Sequence, residues 1–430
     1  MARLTAERPP DASGTSSGAA RGWAANTFDA FNIPLYRTIW LGTILAFLAF
    51  NMAMTAQGVV AYDLTGSNRA VGSVVFGQGV AMLLLNPFGG AIADRFSKRL
   101  LILFAQAVIG ATMLATAILI ATGNISVFLL AVGAFVVGSM FAFLGPTRMS
   151  LLGEIVSGER IGNAMALIQV GGNFARIGGP FIAGLLLAWP VIGNAGTYFI
   201  IASIFILVII TLYGIPDSPP RANRNQTNVL QDVRSGFVYI LEHQRLLHSV
   251  VSFHLVTILG LSYIVLMPGF AKDTLDAGTA GLGILFGVAA AGGFVASIAV
   301  ASLADSKRAP AYMTFSSLGL GVALILAGLA PSFAVAIVVM IFVGANSSAF
   351  QTLNNSIALK RSTQEFLGRV TSLMFLAWGL NSLAGLPVGF LADVAGERTV
   401  FIGLGASLCA VVVALASWER RILATYPTDA

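Results

Sequence analysis

The feature that most constrains this chain is a series of unbroken apolar runs, each near the length at which a helix crosses a bilayer, about 20 residues. Such runs lie near 38–62, 70–93, 99–121, 126–149, 162–188 and 193–214. Six more lie near 247–270, 279–303, 310–330, 333–356, 367–391 and 399–418, after a polar stretch from Pro216 to Arg245. In hydrocarbon a backbone must satisfy itself, as a helix or a closed barrel, and these runs lack the alternation of barrel strands. Composition agrees. Of 430 residues 57% are apolar and 10% charged, with mean hydropathy +0.86, whereas a soluble domain carries about 25% charge. The expected fold class is an all-α membrane protein, twelve transmembrane helices in two six-helix bundles.

The expected organisation is a cytoplasmic tail over 1–33, a bundle over 34–214, a linker over 215–246, a bundle over 247–418 and a cytoplasmic tail over 419–430. The first tail has no apolar core of a signal peptide and reads as soluble. In the linker Val229, Val233, Phe237, Ile240 and Leu241 recur at helical spacing. They predict an amphipathic helix that lies on the bilayer or packs on the bundle ends. Basic residues set the orientation. With both termini in the cytoplasm, 20 of the 24 Lys and Arg fall on cytoplasmic segments, and only Arg69, Lys272 and Arg398 fall outside. Arg176 lies inside the fifth run. The expected location is a cell membrane, the bacterial inner membrane, with multiple passes.

Several function classes drop out. The net charge of +6 is spread over short loops rather than clustered as a nucleic acid requires. One cysteine, Cys409, and three histidines at 243, 248 and 254 have no metal-ligand spacing. No phosphate-binding GxxxxGK loop is present. The reading is a monomeric protein that is not an enzyme, without cofactor or metal, surrounded by membrane lipids.

The halves repeat. Glu159-Arg160-Ile161-Gly162 opens the fifth run, and Glu365-Phe366-Leu367-Gly368 opens the eleventh. Gly90-Ala91-Ile92-Ala93-Asp94 after the second run has a counterpart in Ala301-Ser302-Leu303-Ala304-Asp305 after the eighth. Paired halves around a central loop are the layout of transporters that rock about a midplane site.

Between the second and third runs stands Gly90-x-x-x-Asp94-Arg95-x-x-Lys98-Arg99. One carboxylate among three cations at a turn between spans can pair with a cation or a helix end, either as an anchor or as a conformational latch. The spacing resembles the signature loop of the major facilitator superfamily, with Ser97 where that family usually has Gly; Arg148 is grouped with the latch. The fifth run carries Ala166, Ala175, Gly179, Pro180, Ala183 and Gly184. These positions resemble the antiporter motif of the superfamily's exporters, in which Gly179, Pro180 and Gly184 allow close packing and a bend. Leu64-Thr65-Gly66-Ser67, Pro146-Thr147-Arg148, Asn173-x-Ala175-Arg176, Gly368-Arg369-Val370 and Pro387-x-Gly389 extend the resemblance to the branch that contains the enterobactin exporter and macrolide efflux proteins. What the resemblance implies is a small-molecule substrate, a bulky drug-like compound or siderophore, exported at the expense of the proton gradient.

In that superfamily the first, fourth, seventh and tenth spans line the cavity. Here they offer Asn51, Gln57, His254, Asn346 and Gln351, joined by Asn173 from the fifth run. Each amide is either a ligand contact or a helix-to-helix hydrogen bond. Proton coupling needs a titratable group within the membrane. No Asp or Glu falls near the middle of a run, which leaves Asp63, at an outer end, and His254. An uncoupled facilitator or a lysophospholipid flippase therefore stays open as the alternative, and a non-transporting sensor lacks a soluble domain. Arg176 costs roughly 2.5–3.5 kcal/mol at a bilayer centre. It either binds an anionic group beside Asn173 or satisfies carbonyls near the Gly179-Pro180 bend.

A topology reporter fused after Ala430 or within Asn223–Asn228 is expected to read cytoplasmic, and one within Asn124–Ser126 external. An external signal from the central fusion would overturn the twelve-span reading.

Overall fold

The computed structural model describes residues 29–156, 160–215, 229–303, 306, 308–363 and 366–425. Within these stretches the side chains of 29, 87–95, 146, 149, 150, 153, 154, 160–162, 166, 229–233, 301 and 423 are outside the description. Six long helices come first: α1 Pro34–Thr65, α2 Asn68–Arg95, α3 Lys98–Ala121, α4 Val127–Ile155, α5 Arg160–Ala188 and α6 Gly193–Tyr213. The linker helix α7 spans Val229–Glu242. The second set is α8 Gln244–Leu261, α9 Gly278–Ala301, α10 Ala309–Leu329, α11 Phe333–Lys360, α12 Leu367–Ala395 and α13 Glu397–Thr425. Twelve of these, with α8 continued to Thr274, are long and apolar enough to cross a membrane.

Local signals set the ends. Ser97, Ser126 and Ser332 accept the amide hydrogens of Leu100, Leu129 and Val335, the N-cap role of a short hydroxyl side chain. Pro34 opens α1, and Gly66 closes it in the left-handed conformation, φ +61°, with its amide on the Tyr62 carbonyl at 2.7 Å. Several helices outrun the apolar windows: α1 begins at Pro34 and α13 continues to Thr425, beyond the expected end at 418. The apolar ruler measures only the part in hydrocarbon, and helices continue into the polar interface. Past Leu261 the chain tightens to a 3₁₀ turn over Ser262–Leu266 and widens to a π turn over Phe270–Thr274, around Pro268, which has no amide hydrogen to give.

Packing follows the repeat. In the first half α2 packs on α4, α1 on α5 and α6, and α3 on α6 and α4; in the second α9 packs on α11, α8 on α12 and α13, and α10 on α13 and α11. The halves meet along two seams, α2 against α12 and α5 against α9. Each seam is the other's counterpart under the repeat. Both rest on glycine. A Cβ on Gly72 would lie 2.9 Å from Leu386 Cα, and one on Gly283 would lie 2.9 Å from Gly184 Cα. Linker helix α7 turns Gly236, Tyr239 and Ile240 inward, with the Tyr239 ring stacked on Phe366 at 4.1 Å, and leaves Phe237, Val238 and Leu241 exposed.

Within the second half, Gly344 faces the Ala289 carbonyl so closely that a Cβ would overlap it. Helix backbone cannot yield locally, so Gly344→Ala must separate α9 from α11 at a cost of about 1–3 kcal/mol. A melting temperature lower by several degrees in detergent is expected for Gly344→Ala. Gly368→Ala, whose Cβ would meet nothing within 4 Å, is expected to melt as the parent does.

Candidate functional site

Both ends of the described chain lie on one side of the bundle, called here the near side; α1 and α13 each span it and the count of crossings is even. Among the described residues, the side-chain ties between the halves gather on the far side, around the start of α2. Its first amides have no partner within their own helix. Asp393, near the end of α12 in the other half, supplies one. Its carboxylate accepts the amide hydrogens of Asn68 at 2.7 Å and Arg69 at 3.1 Å, and the Ser67 hydroxyl at 2.5 Å. This is an N-cap delivered in trans, strengthened because a negative charge meets the positive end of the helix dipole. Glu397 accepts from Asn68 Nδ2 at 2.8 Å and from Thr274 at 3.2 Å. The Tyr62 hydroxyl donates to Asp273 at 2.5 Å, and Lys272 pairs with Asp63, which also accepts from Asn194 at 3.2 Å.

Among the described residues, the near-side ties of Arg99 and Arg361 stay within one half. Arg99 donates to the Tyr213 carbonyl at 2.6 Å, a cation on the last turn of α6, and lies over the Tyr213 ring at 5.4 Å. Lys98 is buried, and Ser97, the departure from the signature, is the N-cap of α3. Arg148 sits 5.6 Å from the Phe47 ring centroid. The side chains of Gly90, Asp94 and Arg95 lie outside the described residues, as do Asp305 and Lys307. In the second half Arg361 donates to the Arg245 carbonyl and the Ser249 hydroxyl, both at 2.8 Å, and stands 3.6 Å from Glu419. Burial lowers the Arg361 guanidinium from its usual range, and Glu419 opposes that shift.

The amides singled out in the spans mostly bond to their own helices. Asn51 donates to the Phe47 carbonyl at 2.7 Å, Asn346 to the Phe342 carbonyl at 2.9 Å, and Gln351 to the Ser347 hydroxyl at 3.2 Å. His254 places Nδ1 2.8 Å from the Val250 carbonyl. Gln57 is buried, and Asn173 is half-buried on α5. Gly179 packs against Asn51, and Gly184 against Gly283, so the Gly179-Pro180-Gly184 segment touches α1 and α9. Phe50 and Phe141 stack at 3.8 Å between α1 and α4. Arg176 is exposed in the middle of its span.

The layout of two seams and paired halves is that of a known family, and sequence comparison decides it. A family model described as Major Facilitator Superfamily matches residues 39–386. The chain belongs to that superfamily. It is a multi-pass membrane transporter, not an enzyme. A protein named enterobactin exporter EntS, from Shigella flexneri, is 26% identical over 399 residues, covering 92% of this chain and 91% of that protein. Its namesake from Escherichia coli O1:K1 is 25% identical over the same length. Among solved structures, a bacterial homologue of the lysosomal transporter Spinster, in an inward-facing and unoccupied conformation, aligns with TM-score 0.70 and 15% identity, covering 90% of this chain and 95% of that one. A POT family transporter in complex with 5-aminolevulinic acid aligns with TM-score 0.72 and 13% identity, over 90% and 96%. The structural likenesses speak for the fold.

Sequence reasoning placed Asp63 at an outer end but missed its partner Lys272 and the Asp393–Glu397 ties. The available signal was an excess of carboxylates, Asp273, Asp276, Asp393 and Glu397, in segments otherwise poor in charge. Replacing Asp393 by Asn removes the charge at the α2 terminus and weakens three hydrogen bonds, an effect of about 1–2 kcal/mol. Distances between spin labels on the far ends of α2 and α12 are expected to shift toward a wider population by roughly tenfold. An unchanged distance distribution would show that the glycine seams alone hold the closure.

Proposed function

We propose that the chain exports a bulky, amphipathic organic solute from the cytoplasm of a bacterium by alternating access, with the proton gradient as the source of energy that the family resemblance implies. The observation that carries this is the far-side closure, made of rim hydrogen bonds between halves that water can replace. Such ties can be made and broken at modest cost. The distribution of basic residues supports a cytoplasmic near side, so that solute enters from the cytoplasm and leaves when the far side parts. The relatives named as enterobactin exporters support export and a large substrate. An apolar wall with aromatics such as Phe47, Phe50 and Phe141 and a few amides suits an amphipathic solute. In this reading Asp94 and the cations around it latch the near side in the outward-open state, the Pro180 bend lets α5 follow, and one chain suffices.

A second reading, an uncoupled facilitator or lysophospholipid flippase, is favoured by one observation: among the described residues no carboxylate in a span lies more than four residues from its end. Everted membrane vesicles separate the two. Export predicts that siderophores or antibiotics from a panel accumulate in vesicles carrying the protein, and that a protonophore abolishes accumulation. Equilibration that the protonophore leaves intact, or movement of lysolipids only, would replace the first reading by the second.

A further inference from the structure

Among the described residues, every charged residue of the twelve spans except Arg176 lies within four residues of a span end. Arg176 stands in the middle of Asn163–Ala188. Its guanidinium has no hydrogen bond, ion pair or ring contact with any described residue. An isolated cation at that depth must face water or a counter-ion, and the stripes of α5 tell which surface it faces.

Residues four or seven apart on a helix lie one or two turns along on one face. Met165, Gln169, Arg176, Ala183 and Leu187 form one stripe. Its near-side members, Met165 and Gln169, are exposed, whereas Ala183 is 0% and Leu187 8% exposed. A different stripe, Val170, Phe174, Phe181 and Leu185, is wholly apolar and exposed along its length, at 45%, 58%, 41% and 45%. The second has the character of a lipid-facing surface. The first opens on the near side and closes beyond Arg176, as the wall of a crevice with a blind end does. Arg176 is the last exposed position before that end. Asn173 is one turn nearer the opening, and Gly172 leaves room beside the Phe47 ring, over which Arg148 lies.

We propose that Arg176 is the counter-ion of the substrate: the solute is an organic anion, its charged group held at the blind end by Arg176 with Asn173 beside it and its apolar body along Phe47. A guanidinium in a narrow, poorly hydrated crevice pairs with a carboxylate, sulfonate or phosphate more strongly than in water. The inference rests on the transport reading above and narrows its substrate class. It also bears on energy. A cell interior that is negative expels anions, by about 50-fold in concentration per 100 mV for each charge. An exporter of anions therefore gains a driving force that needs no carboxylate in the membrane.

The test uses the purified full chain and a panel of aromatic carboxylates, sulfonates and phosphates, each paired with its neutral ester, plus lysophosphatidylglycerol for the lipid source of the same chemistry. Binding is read in detergent by equilibrium dialysis, and transport in proteoliposomes with a potential set by potassium and valinomycin. At least one anion is expected to bind tenfold or more tightly than its ester. Arg176→Gln is expected to remove that preference and Arg176→Lys to keep part of it, with both variants eluting as the parent does in size-exclusion chromatography. Transport of that anion is expected to rise several-fold when the potential opposes its retention. Preference for lysophosphatidylglycerol over all soluble anions assigns the anion to a lipid. Anion binding that depends on Arg176 without transport leaves this inference standing and removes the export reading. If no anion outbinds its ester, or if Arg176→Gln binds and transports as the parent does, the inference is overturned. Failure of both variants to fold would likewise overturn it in favour of a structural arginine.

Discussion

The far-side closure centres on the Asp393 carboxylate of the second half, seated on the amides at the start of α2 in the first, beside the Glu397 and Asp63–Lys272 ties. A helix start must find acceptors somewhere. Here they come from across the interface, so the second half completes the start of a first-half helix while the far side is shut. The glycine seams allow that approach: Gly72 against Gly385 and Leu386, Gly184 against Gly283. Between apolar helices in lipid such close packing supplies dispersion but little hydrophobic drive. The polar rim therefore carries an appreciable share of the preference for this state.

Polar groups deeper in the spans obey a different logic. Asn51, Thr55, Ser139, Asn346 and His254 bond to carbonyls one turn back on their own helices. A bond inside one helix survives any rotation of one half against the other. A bond between halves in a dry interior would leave a buried donor or acceptor unpaired each time the halves moved, at about 1–3 kcal/mol per group. Ties placed at the rim avoid this, since water replaces what is lost. Among the described residues this partition of bonds, within one half in the interior and shared between halves at the far edge, fits a molecule whose halves move as units.

Phe50 of α1 and Phe141 of α4 stack on each other, and Asn51, Asn346 and Gln351 have a donor committed within their own helices. The exposed cation on α5, Arg176, makes no hydrogen bond, ion pair or ring contact with any described residue. Under the repeat its position in α12 is occupied by Ser382 rather than a second arginine. The repeat therefore does not demand a charge at this position twice.

How much of this was legible in the chain divides along a physical line. Twelve spans and the six-plus-six grouping follow from apolar length, so the residues near each position suffice to read them. The midplane rank of Arg176 is equally local, because depth in a span can be counted along the sequence. The pairing of Asp63 with Lys272, and of Asp393 with Ser67, Asn68 and Arg69, joins residues about 200 and 320 positions apart. No periodicity encodes such partners. Only the packing of the two halves brings one helix end opposite another. The same holds for the face of Arg176: the sequence sets its depth, but the burial of Ala183 and Leu187 on its stripe arises where the seams close, and that closure is a property of the assembled bundles.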